Sequence, residues 1–473
     1  MRMSSSHTFP PNFLIGCASA SYQVEGGWNA DDKGENIWDH LTHTQPDKIK
    51  NRDNGDVACD SYNKYIEDVQ LIKDIGFNHY RFSISWSRVL PTGYDNVVSK
   101  AGLDYYHRLI DQLKANGIEP VVTLYHWDLP QPLQELGGWV NPLMADYFQK
   151  YARVMFEEFG DKVKWWITIN EPLEVIDGYG AGKYAPMLNQ HGVADYLAVH
   201  TLLKAHAKAY RLYDTTFRAS QKGRIGITLN AAFKRALNNV TEDKVAAERS
   251  MEFENGIFAH PIFSKEGDYP KIVRERVDYN SKREGRSSSR LPTFTQEEIE
   301  EIRGSSDFFG LNHYTSRYAT SGLVGPDPSL DRDSGSVLSC DPAWKTAKSI
   351  WLKVVPWGFR ALLNRIRIEY NNPPVFVTEN GYSSDGALDD VDRIQYFHDY
   401  LEQLLKALHE DRCNIIGYTV WSIMDNFEWL RGYSERFGIH SVDFNDPNRP
   451  RQKRQSAEYF RKLLQTRQLP PVP

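Results

Sequence analysis

Short apolar runs recur along the chain and alternate with stretches of helical period. Eight such runs, rich in β-branched and aromatic residues, begin near positions 13, 79, 120, 164, 224, 307, 374 and 415. Runs that are apolar almost throughout, such as Pro120 to Leu124, are typical of strands covered on both faces, as parallel sheets require. The pattern therefore predicts eight buried parallel strands.

Helical patterns fill the gaps between these runs. The clearest predicted helix extends from about Asn141 to Gly160, with Asn141 as N-cap, Pro142 at the first helical position and Gly160 as terminator. Its apolar positions are Leu143, Tyr147, Tyr151, Met155 and Phe159. A second helix is predicted over Leu103 to Gly117, where the apolar residues form one stripe. Strand and helix alternating eight times indicates an α/β fold, a single (β/α)8 TIM barrel, with a doubly wound sheet as the alternative.

The domain organisation follows from the absence of a linker. No Gly-, Ser- or Pro-rich stretch interrupts the pattern, so we predict a barrel over 9–465, an N-terminal tail over 1–8 and a C-terminal tail over 466–473. The segments 281–292 and 325–339 are polar and rich in turn residues. We expect them to be long loops over the C-terminal face of the barrel.

Composition narrows the possible partners. A net charge of -6 offers no basic excess for neutralising phosphates, so nucleic acid is not an expected partner. No apolar run is long enough to span a bilayer, and the first residues lack the apolar core of a signal peptide, so we expect a soluble protein. Its location stays open: cytoplasmic if the start is native, extracellular or digestive if a leader has been removed. Monomer and homodimer are both open as well. The four cysteines have no metal-type spacing.

Polar residues stand at the ends of the apolar runs. In a (β/α)8 barrel the carboxyl ends of the strands form the active-site face, so these residues become candidates. They are Gln23, Arg81, His126, Trp127, Asn170, Glu171, Asn230, Asn312, Tyr314, Glu379, Asn380 and Trp421, with Glu428 and Trp429 soon after the last run. Taken singly, His126 or Arg81 also fits a structural role, and Trp421 or Trp429 a core position. So many hydrogen-bonding groups on one face favour a polar ligand.

Two carboxylates end apolar strands, Glu171 after KWWITIN and Glu379 after PVFVT. Burial raises the pKa of a carboxyl group, whereas a nearby cation such as Arg81 keeps it ionised. Two carboxyls in different environments suit cleavage of a glycosidic bond, one as nucleophile and the other as acid/base. Retention of configuration would require them to be about 5 Å apart.

Several motifs match a known family. They are FLIGCASASYQVEGG, YHWDLPQPL, the Ile169–Pro172 tetrapeptide INEP, VTENG at Val377–Gly381, and WSIMDNFEW followed by GYSERFGI. From Phe9 to about Gln465 the chain resembles the family 1 glycoside hydrolases, and within them the insect β-glucosidases and the aphid-type myrosinases. The resemblance implies Glu171 as acid/base and Glu379 as nucleophile, a small glucoside as substrate, and no metal or organic cofactor.

The resemblance also implies the roles of the surrounding residues. Gln23, His126, Asn170, Glu428 and Trp429 would hold the sugar, with Trp421 as the stacking platform and Asn170 on the 2-hydroxyl. Trp127, Asn312, Tyr314, Trp351 and Phe437 would complete the substrate-binding set. Arg81 and Tyr314 would keep Glu379 ionised. Glu428 would repel a sugar phosphate, which indicates an unphosphorylated sugar.

The aglycone side is expected at Asp177, Tyr184 and Arg317. Aphid-type myrosinases carry a Lys at the position matching Asp177, so an acidic residue there should disfavour a sulfated aglycone. Arg317 argues the other way. Three functions therefore remain: a retaining β-glucosidase acting on small glucosides or gluco-oligosaccharides, a myrosinase-like thioglucosidase, and a non-catalytic sugar-binding relative.

Overall fold

In a computed structural model, which describes residues 7–473, the eight apolar runs form a closed parallel barrel. The strands are β1 (Leu14–Ala18), β2 (His79–Ser83), β3 (Glu119–Tyr125), β4 (Trp165–Asn170), β5 (Arg224–Asn230), β6 (Phe309–Asn312), β7 (Val375–Asn380) and β8 (Ile415–Val420). Each pairs in parallel with its neighbours in chain order, and β1 closes the ring against β8. The barrel prediction is confirmed, and the doubly wound alternative is wrong.

Helices return the chain from each strand to the next. The principal crossover helices are Ser61–Ile75, Lys100–Ala115, Met144–Phe159, Ala194–Leu212, Lys271–Arg283, Pro356–Glu369, Val391–His409 and, after β8, Gln455–Thr466. Shorter α-helices are Ser21–Val24, Ile37–Thr44, Trp86–Val89, Gln131–Glu135, Pro172–Tyr179, Arg218–Gln221, Thr241–Met251, Ile257–Phe263, Gln296–Ile302 and Leu330–Ser334. The 3-10 turns are Pro46–Lys48, Lys50–Arg52, Gly138–Val140 and Trp429–Arg431, and the π-turns are Tyr213–Phe217 and Glu252–Gly256.

Two small sheets are formed outside the barrel. Phe233–Ala236, Ser316–Ser321 and Ser336–Ser339 form a three-stranded sheet, and His440–Val442 pairs with Arg451–Lys453. Inside the barrel, Val121, Ile167, Phe308 and Phe376 form an apolar plug, so the lower interior is packed core and not a channel. Among residues 7–473, no helix combines the length and the apolar character that crossing a membrane requires.

The predicted helix starts need correction. The helix expected from Asn141 begins at Met144, because the Asn141 side chain accepts the Leu143 N–H at 3.0 Å and the Asn141 carbonyl accepts the Met144 N–H at 3.0 Å, which makes a turn before the regular helix. Leu143 is 54% exposed and does not belong to the buried stripe. The second helix begins earlier than predicted, at Lys100, because the Ser99 hydroxyl caps it at Gly102 N.

The two segments predicted as loops are partly regular. The first begins with the last turn of Lys271–Arg283, and the second contains the helix Leu330–Ser334 and the strand Ser336–Ser339. Arg290 joins the segments through two hydrogen bonds to Asp333, of 2.7 and 2.8 Å. A bidentate buried ion pair fixes the relative position of its two residues, so the segments 281–292 and 325–339 are held together in a defined arrangement.

The segment predicted as a C-terminal tail contacts the N-terminal part of the predicted barrel. Residues 1–6 lie outside the described range. Arg467, in the predicted C-terminal tail, donates to the carbonyls of Pro10, Pro11 and Phe13 at 2.7 to 3.1 Å. The boundary at 465 therefore stays a prediction, while the segment beyond it contacts the start of the barrel.

Candidate active site

The polar ends of the strands surround one cavity of about 440 Å³, a size typical of pockets for small organic molecules. The residues predicted from sequence that line it are Gln23, His126, Trp127, Glu171, Asp177, Tyr184, Asn230, Asn312, Tyr314, Arg317, Trp351, Glu379, Trp421, Glu428, Trp429 and Phe437. Arg81 and Asn170 do not line the cavity and contact the residues that do. Asn380 does not line it either, and its amide donates to the His313 carbonyl and the Tyr396 hydroxyl. The structure thus brings together side chains that are more than 400 positions apart in sequence.

Glu171 lies at the end of β4, where the chain turns into the helix Pro172–Tyr179. Its backbone adopts φ +47° and its N–H donates to the Thr228 carbonyl of β5 at 2.9 Å. A positive φ is rare for a residue with a side chain and is maintained only where the surroundings enforce it. One carboxylate oxygen accepts from Asn312 Nδ2 at 2.8 Å. The turn therefore directs a nearly buried carboxyl group into the cavity.

Glu379 lies at the end of β7 and has stronger partners. Arg81 Nη1 donates to its Oε1 at 2.7 Å, and the Tyr314 hydroxyl donates to its Oε2 at 2.7 Å. Each carboxylate oxygen thus accepts one short hydrogen bond, one of them from a cation. This arrangement stabilises the ionised form of Glu379.

The two carboxyl groups are therefore biased differently. Burial raises the pKa of both, and at Glu379 the charge of Arg81 and the hydrogen bond from Tyr314 oppose that rise. At Glu171 burial and the negative charges of Glu379 and Glu174 all act in the same direction, and its pKa is raised well above the ordinary value. The pair favours an ionised Glu379 beside a protonated Glu171.

Asn170 connects the two carboxyl groups from behind the cavity. Its Oδ1 accepts from Arg81 Nη2 at 2.6 Å and from Asn312 Nδ2 at 3.1 Å. Because arginine can only donate, Oδ1 must face Arg81, and Nδ2 then faces His126 Nε2 at 3.1 Å. One amide thus orients the arginine, the asparagine and the histidine.

This orientation fixes the proton on His126. Nε2 accepts from Asn170, so a neutral imidazole carries its proton on Nδ1. Burial and the charge of Arg81 hold the pKa of His126 well below its ordinary value, so the ring is neutral. Nδ1 has no hydrogen-bond partner within residues 7–473. It is an unused donor in the cavity wall.

Three further residues of the wall, Gln23, Glu428 and Asn230, each have a buried polar atom without a partner in the described chain. Gln23 donates from Nε2 to Asn426 Oδ1 and to the Phe427 carbonyl, but its Oε1 accepts nothing. Glu428 Oε2 is also buried without a partner. Buried polar atoms are nearly always paired in native proteins, so a cluster of unpaired ones indicates a hydroxyl-rich ligand.

Aromatic rings form the remainder of the inner wall. Trp429 packs on Trp127 at 4.5 Å between ring centroids, and Trp421 stacks on the His126 ring at 5.9 Å. Trp127 is itself fixed by a hydrogen bond from Nε1 to the Asn170 carbonyl at 3.0 Å. Both Trp421 and Trp429 therefore pack in the core and expose a face to the cavity, which combines the two roles considered from the sequence.

The outer wall contains charged residues that the sequence did not single out. Asp177 is paired with Lys183 at 2.7 Å, and Lys234 is paired with Glu254. Glu174, Lys183, Lys234 and Glu254 all line the cavity. Of these, only Glu174 could have been inferred from sequence, because Pro172 predicts a helix start and position 174 then lies one turn beyond Glu171.

Arg317 and Trp351 also line the outer cavity. Arg317 donates to Thr315 Oγ1, to the Ser316 carbonyl and to the Trp351 carbonyl. Trp351 is 42% exposed and meets Tyr314 edge to face at 5.7 Å. The outer cavity thus offers an accessible aromatic face and a cation to the part of a ligand nearest solvent.

Comparison with known proteins gives matches over nearly the whole chain. The family model described as Glycosyl hydrolase family 1 matches residues 5–469. Myrosinase 1 of Brevicoryne brassicae is 52% identical over 462 residues, which are 97% of this chain and 99% of that protein. A cytosolic beta-glucosidase of Cavia porcellus is 44% identical over 468 residues, with coverage of 96% and 98%. The structure of a rice beta-glucosidase mutant in a covalent complex with Glc is similar with a TM-score of 0.91 at 41% identity, covering 97% and 99% of the two chains.

Proposed function

The chain belongs to glycosyl hydrolase family 1, and we propose that it is a retaining β-glucosidase that removes terminal β-D-glucosyl residues from small glucosides or gluco-oligosaccharides. The observation that carries the proposal is the unequal environment of two carboxyl groups in one cavity. Glu379 has Arg81 and Tyr314 to stabilise its charge, whereas Glu171 has an amide and two negative neighbours.

In the first step, ionised Glu379 attacks the anomeric carbon while the bond to the leaving oxygen breaks. Glu171 donates its proton to that oxygen, so the aglycone leaves as a neutral alcohol. The products are a glycosyl ester on Glu379 and an ionised Glu171. The rice relative trapped in a covalent complex with Glc supports this sequence of events.

The second step depends on a fall in the pKa of Glu171. Esterification removes the negative charge of Glu379, which had raised the pKa of Glu171. The pKa of Glu171 therefore falls, and its carboxylate can take a proton from water as the water attacks the anomeric carbon. The ester bond to Glu379 breaks, the sugar leaves, and both groups return to their starting charges.

The inner wall supports glucose as the sugar. Gln23 Oε1, His126 Nδ1 and Glu428 Oε2 supply acceptors and a donor for ring hydroxyls, and Trp421 offers an aromatic face for the C–H side of the ring. A carboxylate at 428 would repel a phosphate group on the sugar. We propose Asn170 as an orienting residue, because its Oδ1 already accepts two hydrogen bonds. We propose the second hydrogen of its Nδ2, the first being donated to His126, as the contact for the 2-hydroxyl.

A thioglucosidase is the second candidate, and one observation favours it. The negative charge of Asp177, expected to repel a sulfated aglycone, is paired with Lys183. Arg317 also lines the outer cavity, so the electrostatic repulsion of an anionic aglycone is weaker than the sequence predicted. The 52% identity to Myrosinase 1 also supports thioglucosidase activity as the second candidate.

A substrate panel and one variant test the proposal. We expect hydrolysis of cellobiose and of an aryl β-glucoside, weaker turnover of the aryl galactoside and fucoside, and little turnover of a glucosinolate. A 2-fluoro-glucoside should add its glycosyl mass to the wild-type protein and not to Glu379→Gln. Labelling of that variant would refute the nucleophile assignment. A preference for the glucosinolate would establish the thioglucosidase, and glucose binding without any turnover would indicate a non-catalytic sugar-binding protein.

A further inference from the structure

Glu174 is a carboxylate that the reaction scheme above does not use. It lies on the helix Pro172–Tyr179, one turn beyond Glu171, and residues three apart on a helix are neighbours on its surface. Its side chain lines the same cavity as Glu171, together with Asp177, which is expected on the aglycone side. Glu174 is therefore close to the acid/base without occupying its place.

A hydrogen bond fixes the Glu174 side chain. Asn230, the last residue of β5, donates from Nδ2 to Glu174 Oε1 at 2.9 Å. The other amide atom, Asn230 Oδ1, is buried without a partner within residues 7–473. The strand end thus holds the carboxylate in the cavity wall, where it cannot rotate into solvent without leaving Asn230 unpaired.

Charged and titratable groups from several elements face Glu174. They are Glu171, the N-cap of its helix, Asp177 on that helix, Lys183 and Tyr184 on the loop that follows, and Glu254 in the π-turn Glu252–Gly256. The two nearby lysines form ion pairs with other carboxylates, Lys183 with Asp177 and Lys234 with Glu254. Within residues 7–473, no cation lies within ion-pair distance of Glu174 itself, and Lys183 offsets its charge only in part and over a longer distance.

The charge of Glu174 appears in the neutral pH range. Burial and the neighbouring Asp177 raise the pKa of Glu174 to about 7. Once ionised, Glu174 opposes the loss of a proton from Glu171, whose own pKa it helps to raise. The two groups therefore titrate as a coupled pair.

We propose that Glu174 is a positioning residue for the acid/base step: its charge retains the proton on Glu171 and so extends the upper pH limit of the reaction for substrates whose leaving group must be protonated. The proposal rests on the β-glucosidase function proposed above. Glu174, next to the expected aglycone residues, would then control proton donation by Glu171.

The test compares pH profiles of kcat/KM for wild type and three variants, with an alkyl β-glucoside and an activated aryl β-glucoside as substrates. Glu174→Gln and Glu174→Ala remove the charge, whereas Glu174→Asp keeps it. A unit charge roughly 6 Å away, in a medium between protein interior and water, changes an acid's pKa by about one unit. With the alkyl glucoside, we expect the alkaline limb of both neutral variants to move to lower pH by about one unit and that of Glu174→Asp to stay near wild type.

Two internal controls separate this effect from general damage. The aryl glucoside needs no proton on its leaving group, so its alkaline limb should move much less. Glu275→Gln removes the same charge from an exposed position, and we expect a wild-type profile. The acid limb, which reports on Glu379, should stay in place for all variants.

The outcomes distinguish the two proposals. If the wild type hydrolyses neither glucoside, the β-glucosidase proposal fails. If the wild type is active and a folded neutral variant has the wild-type alkaline limb, the role of Glu174 is refuted. An equal shift in Glu174→Asp and Glu174→Gln would also refute it, because shape and not charge would then be responsible. The Ala variant decides the question if the Gln variant does not fold.

Discussion

Replacing Arg81 tests the electrostatic basis of the proposed nucleophile. Arg81 is almost fully buried and donates to Glu379 Oε1, the Thr378 carbonyl, Asn170 Oδ1 and Thr123 Oγ1 at 2.6 to 3.1 Å. Arg81→Met keeps most of the apolar length and removes the cation. Glu379 would then be a buried carboxylate with the Tyr314 hydroxyl as its remaining close donor.

The magnitude follows from the ion pair. Charges about 4 Å apart at an effective dielectric of about 20 interact by about 4 kcal/mol, and removing one partner of a buried pair costs about 3–5 kcal/mol. Tyr314 and relaxation around the site recover part of this, so we expect a change of about 3 kcal/mol, or about two pH units. Because Arg81 lowers the pKa of Glu379, its loss raises that pKa, and the acid limb of kcat/KM should move upward.

The assay is the pH dependence of kcat/KM with an activated aryl β-glucoside, for which proton donation matters little. Arg81→Met should lose about 100-fold below the displaced limb and recover part of its activity as pH rises. Arg81→Lys keeps the charge but cannot reach Glu379 and Asn170 together, so we expect an intermediate limb. An acid limb identical to wild type in a folded Arg81→Met variant would refute the reasoning, and thermal unfolding of each variant checks the fold.

Two further predictions concern the proposed acid/base, Glu171, and the stability of the fold. Glu171→Ala should reduce kcat/KM for cellobiose by about 10³-fold or more and for an activated aryl glucoside far less, since only cellobiose needs the proton; equal losses would exclude Glu171 from the acid role. Arg454→Met should lower the free energy of unfolding by about 3 kcal/mol in denaturant titration, because buried Asp425 loses the two hydrogen bonds of 2.7 and 2.9 Å from Arg454 and keeps Arg436, at 3.4 Å, as its remaining cation. Arg461→Met, which breaks a surface pair with Glu458, is the control and should unfold at the wild-type midpoint, and an equal effect of both substitutions would contradict the burial argument.

The barrel could be predicted from the sequence because its strands are short, apolar and separated by helical patterns. The position of Glu171 and Glu379 at strand ends followed from the same pattern, since the carboxyl ends of barrel strands share one face. Helix starts were less accurate. The side chain of Asn141 takes the Leu143 N–H in a turn, a local competition that the hydrophobic period does not register.

The charge balance of the outer cavity could not be predicted in this way. From sequence, Asp177 is an isolated acid expected to repel an anionic aglycone. In the structure, a turn brings Lys183 within 2.7 Å of it, and Lys234 and Glu254 reach the same wall from different elements. Such pairs depend on how loops return to the barrel mouth, and loop paths are weakly specified by local sequence.

Periodicity and burial act over short segments, so eight buried strands with polar residues at their ends could be predicted from the amino-acid sequence, which still allowed a doubly wound sheet. The folded chain shows that the sheet closes and which of those polar residues bond to one another. Arg81 contacts Glu379 and Asn170 across the ring, Asn170 lies behind the cavity and not in its wall, and Asn230 holds Glu174 beside Glu171. Hydrogen bonds and charge interactions act over a few ångströms, so they are set by the closure of the ring, which brings residues hundreds of positions apart into contact.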